Sequence, residues 1–201
     1  MNPTELSAEE KILISASRLF TEKGFAATRT RDIAADAGIN LALLNYYYRS
    51  KEKLFTEVMK LRVVQLFGRL LPILNNPKTD LEEKFTLASD LYFKVLTEHP
   101  DLPLFVLSEM HKKTSNIAPL LPIKKVLEGS VVLSQIRERR PDIDPFQILL
   151  NFLGMTLFPF MAQPVFLQFG ILDKTTFAAL IEERKNLIPE WMERMLYQKD
   201  N

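Results

Sequence analysis

Two short helical stretches, Thr30 to Ala37 and Leu41 to Tyr47, stand on either side of Gly38-Ile39-Asn40. A gap of about three residues forces the chain to turn sharply and begin a second helix across the first, which is the helix-turn-helix spacing. Gly38 suits the end of the leading helix, because glycine accepts a left-handed backbone cheaply, and Asn40 is a good N-cap for the next. Upstream, Ser7-Ala8-Glu9-Glu10 is a capping-box pattern opening a helix with Ile12, Ala16, Leu19 and Phe20 on one face. Gly24 is expected to stop that helix, and Thr28 or Thr30 to cap the second.

Downstream, a fourth helix is expected from Ser50-Lys51 to about Leu70, before Pro72 and the Asn75-Asn76-Pro77 turn. At 1.5 Å per residue it is a strut of roughly 30 Å. Thr79-Asp80-Leu81-Glu82 reads as another capping box, opening a helix that ends near His99-Pro100. Further helices are expected from about Leu102 to Lys112 and from about Pro119 to Arg140. The basic end of the latter, Arg137, Arg139 and Arg140, suits the helix dipole. Asp144-Pro145 and Asp173 mark the starts of the last two, and Pro189 is expected to kink or divide the final one. No segment alternates as a strand does, and no internal repeat is present. The chain therefore reads as all-α with about nine helices, in two domains: residues 1–53, carrying the helix-turn-helix, and residues 54–201, a larger helical domain.

Charge gives little direction: 26 Lys and Arg face 25 Asp and Glu, a formal charge of +1. Only between Arg29 and Lys53 is the balance basic, with Arg29, Arg31, Arg49, Lys51 and Lys53 against Asp32, Asp36 and Glu52. Any reading as a nucleic-acid binder must rest on the motif. The absence of cysteine excludes disulfides, thiolate metal sites and cysteine nucleophiles. His99 and His111 are isolated, and the six glycines form no phosphate loop. No enzyme activity, metal or cofactor is expected. The N-terminus lacks an apolar run after a basic start, so a cytoplasmic location is expected.

Pro145 to Leu172 contains no charge over 28 residues. A membrane span is outweighed by Pro159, Pro164, Gly154 and the polar Gln147, Asn151, Gln163 and Gln168. The stretch reads as a helix buried on most sides, with a partner subunit covering what the chain itself leaves open. The expected homodimer face comprises Phe152, Met155, Phe177, Leu180, Ile181, Ile188, Trp191 and Met195. Phe85, Tyr92, Phe93, Phe105 and Met110 form an aromatic-rich middle. Such a stripe is either core or the lining of a cavity for a small apolar ligand.

In a helix-turn-helix the second helix enters the major groove with its N-terminal residues toward the base edges. Leu41, Ala42, Asn45 and Tyr46 then lie toward one side, while Ile39, Leu44 and Tyr48 turn inward onto Ile33. Asn45 is the expected base reader, since its amide can pair bidentately with adenine. Leu41 and Ala42 offer apolar contact, for instance to a thymine methyl. Phosphates would be held by Thr30 and Arg31, by Tyr46 or Tyr47, and by Lys51, with help from Arg29. Three consecutive tyrosines cannot all be buried on one helix face, so at least one is exposed.

The stretch GFAATRTRDIAADAGINLALLNYYYRSKEKLF resembles the N-terminal domain of the TetR family of transcriptional regulators. Shared are a glycine after the first helix, an R-D-I-A-like second helix, A-G-I at the turn, an aromatic recognition helix and an S-K-E-x-L opening of the fourth. The likeness covers about residues 10–55. It implies a homodimeric, usually repressing regulator that leaves a palindromic double-stranded operator when a small-molecule effector binds the C-terminal domain. The family's DNA contacts map onto Thr30, Arg31, Leu41, Ala42, Leu43, Asn45, Tyr46, Tyr47 and Lys51. Leu41, Ala42, Leu43 and Asn45 depart from the family's usual residues, which implies sparse base readout centred on Asn45. The rival reading is a helical protein-interaction or lipid-binding module, which would lack salt-dependent DNA affinity.

Overall fold

The computed structural model describes residues 6–112, 117–120 and 129–197, and among these every regular element is helical. The elements are α1 (Ala8–Ala27), α2 (Thr30–Asp36), α3 (Leu41–Tyr48), α4 (Lys51–Leu74), α5 (Leu81–Glu98) and α6 (Leu102–Met110), then a 3-10 turn (Ala118–Leu120), α7 (Val131–Arg139), α8 (Pro145–Gln168) and α9 (Lys174–Tyr197). The expected single helix from Pro119 to Arg140 is not formed: a 3-10 turn stands at its start, and Ser130, with extended backbone, precedes α7 as a separate helix; residues 121–128 lie outside the described residues. The chain divides into two units, Met1–Val63 and Val64–Asn201. The division falls within α4 rather than after residue 53, because Leu54 and Val58 belong to the core of the first unit.

In that unit the capping box forms as its sequence requires. Ser7 Oγ accepts from the Glu10 amide at 3.2 Å, and the Glu10 carboxylate accepts from the Ser7 amide at 2.8 Å. Gly24 has φ +76° and ψ 165°, a conformation essentially confined to glycine, so the expected stop is a kink after which the chain stays helical to Ala27. Thr28 does not cap α2. Its hydroxyl is turned back to donate to the carbonyls of Leu19 (3.1 Å) and Gly24 (2.7 Å), so α2 starts after Arg29 without a side-chain cap. Ile12, Ala16, Leu19 and Phe20 then pack with Ile33, Ala34, Leu44, Tyr48, Leu54 and Val58. Gly38 turns the chain with φ +67°, and Asn40 Oδ1 accepts from the Leu43 amide at 2.8 Å to start α3.

In the second unit α5 lies along α9, α8 packs on α9 and α6 packs on α8, while α7 touches all three of α5, α8 and α9. Asp80, Asp144 and Asp173 cap α5, α8 and α9. For α5 the cap is Asp80 and not Thr79, because Thr79 faces Lys84. The Lys84 ammonium, wholly buried, donates to Asn76 O (2.6 Å), Thr79 O (2.5 Å) and Thr79 Oγ1 (2.8 Å), using all three N–H groups to fasten the α4–α5 loop. Pro189 lies inside α9, which continues through it. By length and composition α8 is apolar enough to cross a membrane, and only 28% of its most apolar stretch is buried within the chain.

Candidate functional site

The helix-turn-helix sorts its side chains by the helical period. Leu44 and Tyr48, one turn apart, are the buried anchors of α3, with Ile39 packed beside them. The opposite side presents Leu41, Ala42, Asn45, Tyr46 and Tyr47 to solvent; Tyr46 is 79% exposed and Tyr47 41%. Leu43 is half-buried. The Tyr46 and Tyr47 rings meet edge to face at 5.6 Å. Tyr48 is the tyrosine taken by the core. Burial, reinforced by the nearby Glu9 and Glu57 carboxylates, pushes its hydroxyl well above the usual tyrosine range.

At the head of α2, Arg29 and Arg31 are exposed and Thr30 is half-buried. Arg18 links α1 to α2 through an ion pair with Asp36, and also binds Glu22 at 2.9 Å. Lys51 does more than its sequence suggests. Its Nζ donates to Phe25 O at 2.8 Å and Thr28 O at 3.1 Å, and sits 4.3 Å from the centre of the Phe25 ring. It thus closes two carbonyls at the end of α1 with two of its three N–H groups. Arg49, just past α3, has φ +56°; it is the one positive-φ residue other than glycine among those described, and Ser50 N donates to Tyr48 O across it at 2.6 Å. No sequence signal marked that strain, since arginine gives no sign of a left-handed position.

Within the second unit a cavity of about 340 Å³ opens between α4, α5, α6 and α8. Of the aromatic stripe, Phe85 and Tyr92 line it. Phe93, Phe105 and Met110 do not. Phe93 is one residue from Tyr92 and so about 100° around α5, where it is buried against Phe160 at 6.0 Å; Phe105 and Met110 are half-buried. Most of the rest of the wall is leucine, including Leu66 and Leu70 of α4 and Leu153 and Leu157 of α8.

The expected dimer face is also redistributed. Phe152, Phe177, Ile181 and Ile188 are buried inside the chain: the Phe152 ring packs on Phe85 at 5.1 Å, and Phe177 on Phe160 at 6.2 Å. They serve the unit's own core. Met155, Leu180, Trp191 and Met195 are half-buried. Leu150, Phe158 and Val165 on α8, with Phe169 and Ile171 just past it, are large apolar side chains left exposed that the sequence reading did not single out. Among the described residues no three His, Asp or Glu side chains gather where a metal ion could be held.

Residues 12–58 match the family described as bacterial regulatory proteins, tetR family. The HTH-type transcriptional repressor KstR2 of Mycolicibacterium smegmatis is 32% identical over 111 residues, 55% of this chain and 53% of that protein. The matches to the first curated relatives span about half or less of those proteins' own length. The fold is shared with the ketosteroid transcriptional regulator KstR2 of Mycobacterium tuberculosis, with a TM-score of 0.58 at 20% identity over 94% of this chain and 96% of that one. It is shared also with the transcriptional regulator FadR of Bacillus subtilis, solved in complex with stearoyl-CoA, with a TM-score of 0.52 at 19% identity over 89% and 96%. At these identities the likeness to solved structures is one of fold.

Proposed function

We propose that the chain, whose residues 12–58 match the family of bacterial regulatory proteins, tetR family, is a TetR-type, ligand-responsive transcriptional regulator that binds double-stranded DNA as a homodimer, and acts in the cytoplasm as a repressor. The observation that carries this reading is the division of labour on α3. Leu44 and Tyr48 fix the helix, so Leu41, Ala42, Asn45, Tyr46 and Tyr47 are held out together on a rigid surface. Asn45 reads a base edge, and the tyrosines with Arg29, Thr30, Arg31 and Lys51 hold phosphates. Leu43, half-buried, plays a smaller part.

A palindromic operator requires a second copy of the head. Support for the homodimer comes from the exposed Phe158 and Val165 of α8, together with Met155, Leu180, Trp191 and Met195. Effector control is supported by the continuity of α4. Its C-terminal half lines the cavity through Leu66 and Leu70, and its N-terminal residue, Lys51, fastens the end of α1 in the DNA-binding head. A ligand that binds one position of α4 better than another shifts the population of DNA-competent heads. The ketosteroid regulator and the stearoyl-CoA-bound FadR that share the fold support an apolar small molecule in that role.

The test is selection of bound fragments from a random duplex DNA pool at fixed salt. The expected product is an inverted repeat whose half-site centres lie about 34–36 Å apart, or a multiple of that spacing. Failure to enrich any sequence, with retention independent of salt, would refute DNA recognition in favour of a protein- or lipid-binding module.

A further inference from the structure

What the cavity can hold is set by its walls. Among the described residues Tyr92 is the one side chain lining it that carries a polar group; all the others are Leu, Phe, Val, Pro or Met. Among the described residues no Lys, Arg, His, Asp or Glu lines it. A carboxylate or phosphate placed inside would give up its hydration with no opposite charge to replace it. A neutral polar group needs a single partner, and Tyr92 provides one, because a phenol O–H is a donor. The Tyr92 ring is held by Phe152 at 6.0 Å and is almost wholly buried. Burial alone pushes its hydroxyl above the usual range, so it keeps its proton. Leu107, Phe146 and Leu150 line the cavity and are also 43–48% exposed, so they mark its mouth.

Resting on the effector reading above, we infer that the cavity takes a mainly hydrocarbon ligand bearing one uncharged oxygen acceptor, bound by the Tyr92 hydroxyl, while any charged part of the molecule stays outside Leu107, Phe146 and Leu150. Esters, ketones and alcohols share this chemistry; free fatty acids do not.

The experiment uses the full chain loaded with the uncharged fluorophore N-phenyl-1-naphthylamine, displaced in turn by decane, decanol, methyl decanoate and decanoate at pH 8. The ester or the alcohol is expected to displace the probe at concentrations about tenfold or more below those needed for decanoate. Tyr92→Phe is expected to weaken whichever of the two binds better by roughly 3- to 10-fold, the scale of one hydrogen bond. Decane displacement should be unchanged in that variant, which shows that the cavity is intact. The neutral-ligand inference falls if decanoate matches or beats the ester and the alcohol, and Tyr92 loses its role if Tyr92→Phe leaves both unaffected. If the ester or alcohol binds as expected yet never alters DNA retention, the effector reading fails while the ligand assignment stands. If none of the four displaces the probe, both fail.

Discussion

Arg184 on α9 donates its Nε to the carbonyl of Met155 on α8 at 2.9 Å. Met155 lies four residues before Pro159, and proline has no N–H to complete the helical bond to that carbonyl. The acceptor orphaned by one helix is thus satisfied by its neighbour. The Arg184 guanidinium also lies 5.1 Å from the Trp191 ring centre, and burial lowers its pKa. Arg184→Leu should therefore destabilise the second unit by about 1–2 kcal/mol, the scale of a charge-assisted bond with a carbonyl left unpaired. In a Pro159→Ala background the helix regains its own donor, so the same substitution should cost less. Chemical denaturation of the four variants gives the coupling energy, and a value of zero would show that Arg184 acts through packing alone.

Arg49 holds a positive φ at the exit of α3. A non-glycine residue in such a region costs on the order of 1–3 kcal/mol, whereas glycine there costs mainly the entropy of a freer unfolded chain. Arg49→Gly should stabilise the protein by about 1 kcal/mol, read as a rise in the midpoint of urea unfolding. A fall in the midpoint would mean that the arginine side chain is worth more than the strain.

The head of the molecule was legible in the sequence because each of its constraints is local. Gly38, Asn40 and the apolar positions Leu44 and Tyr48 act within a few residues, and the structure places each where its chemistry requires. Thr28 misled because a threonine two residues before a helix looks like a cap, whereas its hydroxyl serves the previous helix at Leu19 and Gly24. The cavity was half legible. Phe85 and Tyr92 announced it, but the leucines of α4 and α8 read the same whether they face a void or a packed core. Nor does periodicity say which apolar faces a chain buries against itself, and so Phe177, Ile181 and Ile188 read as a partner face although α9 turns them inward.

Buried tyrosines make the fold sensitive to alkali. Tyr48 and Tyr92 both titrate above their ordinary value near 10 when folded. Above that pH the unfolded chain releases protons that the folded chain retains. Stability is therefore present in full below pH 10 and lost as pH rises, at about 1.4 kcal/mol per pH unit for each tyrosine. Lys84 works in the opposite sense, since burial lowers its pKa and its penalty fades as pH rises toward 10.5. Urea unfolding between pH 9 and pH 11.5 should show the loss. Tyr92→Phe should reduce its slope, and an unchanged slope would place the alkaline transition elsewhere.

On DNA, Asn45 and Arg31 should fail differently. In the proposed complex Asn45→Ala removes a base-edge contact, so it should cost about 1–3 kcal/mol on the selected operator and relax preference at one position of each half-site. Arg31→Ala there removes a proposed phosphate contact. It should weaken binding to all sequences alike and reduce the salt dependence by about one unit of slope. Titrations of each variant against operator and scrambled duplex at several salt concentrations distinguish the two. Equal losses on both duplexes for Asn45→Ala would remove it from the reading face.

For Lys51 a structural duty and the proposed phosphate contact can be separated. Its bonds to the Phe25 and Thr28 carbonyls fix the end of α1 from the first residue of α4, so Lys51→Met should destabilise the protein by about 2 kcal/mol even without DNA. Lys51→Arg retains the charge, but its planar fork does not reproduce the ammonium's two bonds to separate carbonyls above the Phe25 ring. It should therefore recover non-specific DNA affinity while recovering little of the stability. Measured well below the melting temperature, DNA affinity that follows charge across Lys, Arg and Met makes Lys51 a phosphate ligand. Affinity that follows melting temperature instead makes it a positioning residue that acts through the end of α1.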